Sequence, residues 1–251
     1  ADLHNGLLTW AEETGEEYNL QIANGRLMQV VFDNLDRCRG RKFKKIILAL
    51  LGDLLHTDND SQTTTKGTFQ QAERARKTFN VTLDMLILVV RMLGEISEVE
   101  VLYTSGNHDG LSGWMLIRAL EQTFVNDPKV TVDSGPDSQK IRQFGKVLLG
   151  FVHGDMPDKN LTGWLQVHAR RLPVAIEFIE THKGHTHGQK VKEQIQTDEQ
   201  DGVIVRTMPA IPPSSVWSHH EGHVRAACVS MSFVWNEQFG LREMWFSSVA
   251  T

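Results

Sequence analysis

Residues 46–56 read IILALLGDLLH, an unbroken apolar run that ends at Gly52 and is followed by Asp53 and His56. An apolar run of this length suits a strand that is covered on both faces, because neither face carries a polar side chain. The glycine marks the turn at which such a strand ends. The segment therefore predicts a buried strand whose carboxyl end carries an aspartate and a histidine.

Two further apolar runs end in polar groups in the same way. Residues 99–104 lead into the sequence GNHDG, and residues 147–152 lead into HGD at 153–155. Two short segments, DLH at 2–4 and GHTHG at 184–188, carry the same residue types. Because ligands collect beyond the carboxyl ends of strands in an α/β sheet, we expect these groups to meet at one rim.

The rest of the chain alternates between helical and extended patterns. Helices are predicted at 26–39, 68–93, 114–124 and 161–179, the last kinked at Pro173. Strands are predicted at 46–51, 99–104, 129–132, 147–152, 190–196, 203–208, 225–235 and 241–246. This order predicts an α/β fold, an α+β sandwich of two stacked mixed β-sheets flanked by helices, in one domain at 1–251. An apolar strand is expected upstream of residue 1, because Asp2 otherwise lacks the strand that would hold it.

Composition narrows the class of partner. The chain of 251 residues has a net charge of −5 and a pI near 6.1, so it has no overall attraction for nucleic acid or anionic membranes. No apolar run is long enough to span a bilayer, and no signal peptide is visible. Cys38 and Cys228 do not form a closely spaced framework, which favours a reducing compartment. We therefore expect a cytoplasmic protein without a membrane partner; the sequence does not indicate an oligomeric state.

The residue types at the predicted rim suit a pair of divalent metal ions. Such a pair needs an oxygen ligand between the ions and separate ligands for each, and mixed nitrogen and oxygen ligands suit Mn, Fe, Zn or Co. Taken singly, GNHD after a buried strand is moderately specific and the other motifs are weak: DLH occurs by chance, GHTHG could be a surface turn, and His153 could be a core histidine. Their occurrence together, in order and each at a predicted strand end, favours the metal site over those alternatives.

In this order the motifs Asp-x-His, Gly-Asp, Gly-Asn-His-Asp, His and Gly-His-x-His resemble the signature of the calcineurin-like metallophosphoesterases. The resemblance covers residues 2–188, and the sandwich of that family also accounts for the later strands. It implies two divalent metal ions, Mn²⁺ first among them, with Fe, Zn, Co or Mg as alternatives. It also implies their ligands: Asp2, His4 and His187 for one ion, Asn107, His153 and His185 for the other, and Asp53 as the bridge.

The same resemblance implies a reaction and its catalytic residues. His108 matches the residue that contacts the phosphate and protonates the leaving group, and Asp109 would orient it. The family hydrolyses phosphate esters by in-line attack of a metal-bound hydroxide. The metal ions lower the pKa of the water and neutralise the phosphate, which makes the mechanism physically reasonable without the resemblance.

The motifs leave the substrate open. GDLLH at 52–56 is similar to the SbcD/Mre11 nucleases, HGD at 153–155 is closer to the lipid-A-precursor pyrophosphatases, and residues 202–223 resemble phage-encoded exonuclease-like members. A phosphodiester of DNA or another nucleic acid is the leading substrate. The alternatives are a small phosphodiester or a nucleotide-lipid pyrophosphate, and a non-catalytic metal-binding scaffold. Candidate substrate-binding residues are His56, Trp217 and His219, although the segment with Trp217 could equally be a surface loop.

Overall fold

The computed structural model describes residues 1–59, 73–155, 158–186, 197–213 and 228–249. The first sheet consists of parallel strands in the order β1-β2-β3: β1 (Ile46–Leu50), β2 (Val99–Tyr103) and β3 (Val130–Asp133). Leu50 is paired with Tyr103, so β1 and β2 end at the same level. The turns that follow these two strands are therefore neighbours.

The second sheet is mixed. Its strand order is β4-β5-β6-β8-β7: β4 (Gln139–Phe144), β5 (Val147–Val152), β6 (Phe178–Lys183), β7 (Thr197–Gln200) and β8 (Val203–Thr207). The inner strands β5, β6 and β8 are parallel, and β4 and β7 join them antiparallel at the two edges. Val152 is paired with Lys183, and the amide of Gly184 donates to the carbonyl of His153 at 2.7 Å. The segments after β5 and β6 are thus neighbours as well.

An antiparallel hairpin and the helices complete the layers: β9 (Val229–Asn236), β10 (Gly240–Ser248), α1 (Ala11–Thr14), α2 (Leu20–Arg37), α3 (Ala75–Gly94), α4 (Gly110–Phe124) and α5 (Asp158–Ala169). Apolar side chains of α2, α3 and α4 pack on one face of the first sheet. On its other face, Leu102 packs with Leu149 and Phe151 of the second sheet. Leu165 of α5 packs on Leu148 at the far side of that sheet.

This order of helix, sheet, sheet and helix confirms the predicted α/β sandwich of stacked sheets flanked by helices. The second sheet is mixed as predicted, whereas the described strands of the first sheet are all parallel. Within the described residues, no helix combines the length and the apolar character needed to cross a bilayer. Cys38 and Cys228 are free thiols, the first partly exposed and the second buried.

Several predicted elements differ from the observed ones. The predicted helix at 161–179 is wrong in its second half, because α5 ends at Ala169 and β6 begins at Phe178. Pro173 lies in the connection, where its ring and missing amide donor prevent a helix from continuing. The strands β4, β6 and β7 were not predicted. The predicted strand at 190–196 lies outside the described residues.

The interior of the sandwich contains a buried charge network. Arg206 of β8 binds Glu180 of β6 through two contacts, Nε to Oε1 at 2.6 Å and Nη2 to Oε2 at 2.9 Å. Nε2 of His182 lies 2.7 Å from the same Oε1, and the His182 ring stacks on Phe233 of the hairpin. Burial raises the pKa of the Glu180 carboxyl, but hydrogen bonds from Arg206 and His182 hold it below its ordinary value. The carboxylate is therefore charged and depends on these partners.

Removing Arg206 should destabilise the fold strongly. The substitution Arg206→Met leaves the Glu180 carboxylate buried without its guanidinium partner, which costs roughly 3–5 kcal/mol in comparable buried pairs. Urea unfolding followed by circular dichroism measures the loss. The double variant Glu180→Leu/Arg206→Met should recover most of it, because no uncompensated charge remains. Arg39→Met, which removes an exposed arginine, should leave the free energy of unfolding unchanged; an equal effect of the two single variants would contradict this account.

Candidate metal centre

The amino-terminal segment lies along the turn that follows β1. The amide of His4 donates to the carbonyl of Asp53 at 2.8 Å, and the amide of Asn5 donates to Leu54 at 2.9 Å. The amide of His56 returns a hydrogen bond to Asn5 at 3.0 Å. These bonds place the side chains of residues 2–5 at the carboxyl end of β1, beside the turns after β2, β5 and β6.

Asp53 occupies the centre of the converging groups. Its Oδ2 lies 3.4 Å from Nε2 of His153 and 3.8 Å from Nε2 of His4. Its Oδ1 accepts a hydrogen bond from the amide of His108 at 2.8 Å. Asp53 belongs to two sets of side chains whose ligand atoms lie within 4.8 Å of one another: Asp53, His153 and His185, and Asp2, His4 and Asp53. A shared carboxylate between two such sets is the arrangement that a pair of metal ions requires.

Asn107 and His185 complete the side of the site next to the second sheet. Nε2 of His153 lies 3.0 Å from Oδ1 of Asn107 and 3.1 Å from Nδ1 of His185. The amide of His185 donates to the carboxylate of Asp2, at 3.1 and 3.2 Å to its two oxygens. The structure thus brings together all the described side chains that the sequence predicted as ligands. His187, Trp217 and His219 lie outside the described residues.

A third set of ligand atoms was not predicted from the sequence. His4, His56 and His108 also place ring nitrogens within 4.8 Å of one another. The ring centroids of His56 and His108 are 5.2 Å apart and nearly parallel, whereas the His4 ring meets the His108 ring edge-on at 4.8 Å. The residues are far apart in the sequence, so only the fold reveals that they form one cluster.

The backbone is strained where it delivers these groups. Asp2, His4, Asp53 and His185 have φ values of 53°, 46°, 50° and 65°, in the left-handed region that residues with a Cβ seldom adopt. In the part of the chain that the structure describes, the only other such residue is Asp201, in the turn between β7 and β8. Strain of this kind persists where the surrounding structure enforces it, and it is concentrated at functional sites.

Asp109 has a different role from the predicted one. Its carboxylate accepts hydrogen bonds from the amides of Asp53 at 3.1 Å, Leu54 at 2.7 Å and Leu55 at 3.3 Å. The Nδ1 atom of His108 lies instead 2.9 Å from the carbonyl oxygen of His56. The expectation that Asp109 orients the His108 ring is therefore corrected, because the carboxylate holds the turn that carries Asp53.

A second carboxylate also links the loop after β1 to the segment after β2. Here the carboxylate lies in the first of these loops and the amides lie in the second. Asp58 lies beyond His56, and its Oδ2 and Oδ1 accept hydrogen bonds from the amides of Leu111 at 2.9 Å and Ser112 at 2.6 Å. These amides belong to the first turn of α4, which has donors without partners in the helix. The sequence does not predict this contact, since nothing local indicates that Asp58 caps a helix more than fifty residues away.

The donor set fits divalent cations. The carboxylates of Asp53 and Asp109 are 2% and 0% exposed, and their described partners are backbone amides, imidazoles and a phenol, without a lysine or arginine. Burial raises the pKa of Asp53; the neighbouring His153 partly offsets this rise, and Asp2 adds to it. Burial, and then the charge of Asp53, raises the pKa of Asp109 to about 7. A bound cation would supply the positive charge that these buried groups lack.

The imidazoles also suit metal binding. Burial and the neighbouring His153 lower the pKa of His185, which keeps the ring neutral, as a metal ligand must be. Nδ1 of His153 lies 2.8 Å from the carbonyl oxygen of Leu51, which fixes the proton on Nδ1 and directs the lone pair of Nε2 towards Asp53. Neutral nitrogens combined with carboxylate and amide oxygens are the ligands that Mn, Fe, Zn and Co prefer.

A cavity of about 270 Å³ lies beside the cluster, lined by Ser105, Gly106, Ser138, Val152, His153 and Asp155. His153 connects it to the candidate ligands. The lining residues that the structure describes contribute two hydroxyl groups and one carboxylate but no lysine or arginine. The described part of this space is therefore polar.

Comparisons with known proteins leave the family open. The chain matches no family model and no curated protein sequence. Among solved structures, it is similar to a Vps29 double mutant from Entamoeba histolytica, with 12% identity over 86% of this chain and 88% of that chain. The TM-score of that superposition is 0.37, a value at which the similarity shows neither fold nor function. The function must be inferred from the geometry of the site.

Adding a methyl group at Gly106 should disrupt the site. A Cβ at this position would overlap the carboxylate and the amide of Asp53, so Gly106→Ala must displace that residue. We expect the affinity for Mn²⁺ to fall by about tenfold or more, measured by titration with electron paramagnetic resonance detection. The control is Gly163→Ala in α5, where a Cβ meets nothing within 4 Å. Unchanged affinity in Gly106→Ala would show that Asp53 does not hold the metal.

Proposed function

We propose that this protein is a calcineurin-like metallophosphoesterase that hydrolyses phosphodiester bonds with two divalent metal ions, and that nucleic acid is its leading substrate. The observation that supports the proposal is the position of Asp53, whose Oδ2 lies 3.4 Å from His153 and 3.8 Å from His4. One carboxylate oxygen thus faces imidazoles from two separate ligand sets. The order of the motifs in the sequence supports the same assignment.

The proposed ligands follow from the two sets. Asp2 and His4 hold one ion, with His187 added from the sequence motif, and Asn107, His153 and His185 hold the other, with Asp53 between them. Mn²⁺ is the first candidate, and Fe, Zn, Co and Mg are alternatives. When bound, the metal ions would activate a water molecule and neutralise the negative charge that develops on the phosphate.

His108 is the proposed general acid. Its Nδ1 is engaged with the carbonyl oxygen of His56, which leaves Nε2 to contact the phosphate and protonate the leaving oxygen. Its amide is bound to the Asp53 carboxylate, so the residue is fixed relative to the proposed bridge. A scaffold that only binds metal has no need for a general acid at this place. The presence of His108 therefore favours the enzyme over the scaffold.

Two substrate classes remain within the proposal. The motif at 52–56 and the residues 202–223 favour a nuclease of the SbcD/Mre11-like or phage exonuclease-like branch, with Trp217 and His219 near the substrate. The small cavity beside His153 favours a small phosphodiester or a nucleotide-lipid pyrophosphate as the second candidate.

The basic segment 37–45 precedes β1 at the opposite end of that strand, and Arg41 and Lys45 bind Glu243 and Glu100 there. A nucleic acid would therefore be bound at the metal rim without this segment.

Metal-dependent hydrolysis is the direct test of the proposal. We expect the metal-free protein to be inactive and to regain phosphodiesterase activity with Mn²⁺, with two ions per chain by elemental analysis. Oligonucleotides should be cut faster than a chromogenic model diester, because a nuclease uses contacts beyond the scissile bond. Faster cleavage of a cyclic nucleotide or a nucleotide-lipid pyrophosphate would select the second substrate class. One ion or none per chain in active protein would rule out the two-metal site.

Two substitutions should separate metal binding from chemistry. Asp53→Asn removes charge from the bridge and should lose both metal ions and activity. His108→Ala should keep both ions and lose turnover by roughly 100-fold or more, the usual contribution of a general acid. Elemental analysis and steady-state kinetics measure both effects.

His168→Ala, on α5, is the control and should behave as the unmodified protein in both measurements. Loss of metal from His108→Ala would show that this residue is a ligand rather than the general acid.

A further inference from the structure

His56 makes contacts with two other histidines of the site, through different atoms. Its Nδ1 lies 3.3 Å from Nδ1 of His4, and its backbone carbonyl oxygen lies 2.9 Å from Nδ1 of His108. We propose that His56 is a positioning residue that sets the tautomer and the orientation of both His4 and His108. The inference rests on the proposed function for its catalytic consequence, but the contacts themselves do not depend on that function.

The contact with His4 determines which of its nitrogens carries the proton. Nε2 of His4 faces the Oδ2 atom of Asp53, so this nitrogen is directed at the proposed metal position. A nitrogen that is ready to bind a metal ion must already be deprotonated, so a neutral imidazole in the metal-free site carries its proton on Nδ1. His4 therefore donates from Nδ1, and Nδ1 of His56 accepts. This places the proton of the His56 ring on its Nε2.

The contact between His56 and His108 also determines which ring nitrogen of His108 carries the proton, but for a different reason. A carbonyl oxygen only accepts hydrogen bonds, so Nδ1 of His108 must carry the proton that it donates to His56. Nε2 of His108 is then the nitrogen that remains for the reaction. The His56 ring supports the arrangement further, because it stacks on the His108 ring at a centroid distance of 5.2 Å.

His56 is itself held in place from several sides. Its amide donates to the carbonyl of Asn5, and the carboxylate of Asp109 binds the amides of Leu54 and Leu55 immediately before it. Beyond it, the carboxylate of Asp58 is fixed on the first turn of α4. A residue that orients ligands must be rigid, and these bonds make the backbone around His56 rigid.

The burial of the ring distinguishes positioning from substrate binding. His56 is 3% exposed, so its side chain reaches a substrate only if the surrounding loops open. The sequence-based prediction that it binds substrate is replaced by this proposal. Partners that orient a metal ligand in this way typically contribute 10–100-fold to metal affinity or activity.

The test uses two substitutions of His56, one that keeps a hydrogen-bond acceptor for His4 and one that removes it. His56→Asn places an amide oxygen near the position of Nδ1, whereas His56→Leu keeps a similar size without an acceptor. Nitrogen-15 NMR of the histidine rings in the metal-free protein, at a pH where they are neutral, reports each tautomer. Calorimetric titration with Mn²⁺ reports the affinity, and neither measurement requires turnover.

We expect His4 to carry its proton on Nδ1 in the unmodified protein and in His56→Asn. In His56→Leu that preference should be lost, and the affinity for Mn²⁺ should fall by about tenfold or more. His108 should keep its proton on Nδ1 in both variants, because its partner is a backbone carbonyl that no substitution removes. This gives an internal control in every spectrum, and His168→Leu is the control for loss of a histidine elsewhere.

Two results would overturn the proposal. The first is a proton on Nε2 of His4 in the unmodified protein, and the second is that His56→Leu and His56→Asn have the same affinity for Mn²⁺ and the same tautomer of His4. The first result decides the matter even if His56→Leu fails to fold. Failure of the proposed function is recognised separately. If the tautomers and affinities follow the expectation but no phosphodiester is hydrolysed, His56 still positions the histidines of a metal site that serves another purpose.

Discussion

The close approach of two backbone turns, at Gly52 and Gly106, positions the carboxylates at the centre of the site. A Cβ on Gly52 would be 2.7 Å from the Cα of Gly106 and 2.7 Å from Nδ1 of His153, so no larger residue fits between these turns. The approach follows from the pairing of β1 and β2, which end at the same level. It allows Asp53 to bind the amide of His108, and it allows the Asp109 carboxylate to bind the amides of the turn after β1. Each turn thus supplies the hydrogen-bond partners of the other.

This arrangement concentrates carboxyl groups in the buried part of the site. Asp2, Asp53 and Asp109 are all buried, and the described partners of the last two contribute amide dipoles and imidazoles rather than full positive charges. Without a cation, burial and mutual repulsion act against ionisation, as the raised pKa values of Asp53 and Asp109 show. The contrast with Glu180 is informative, because there an arginine of the chain itself neutralises the buried carboxylate. Among the described residues, the sandwich therefore contains buried acids such as Glu180 whose counter-charge comes from an arginine of the chain, whereas the described partners of Asp53 and Asp109 carry no full positive charge.

The sequence predicted those strands whose own residues show that they are buried. The apolar runs of β1, β2 and β5 were found because both of their faces are covered, and the polar residues after them were placed correctly at one rim. β6 was missed because Glu180 and His182 are buried as ion-pair partners, so the strand looks polar although it is central. The partners of Asp58, Asp109 and His56 were missed because they depend on contacts between loops. The assignment of individual side chains to particular metal ions stays a prediction.

The distribution of the site along the chain has a consequence for how the protein matures. The hydrogen bonds between the His185 amide and the Asp2 carboxylate join residues separated by 183 positions. Asp53 lies at the carboxyl end of the first sheet, whereas His153 and His185 lie at that of the second, so this ligand set is complete only when both sheets are in place. Contacts of such long range form late, since a large loop must close before they stabilise the chain. The amino-terminal half therefore carries the Asp2, His4 and Asp53 set by itself, whereas the set with His153 and His185 forms only when the two sheets dock, and a metal ion bound there would stabilise their association.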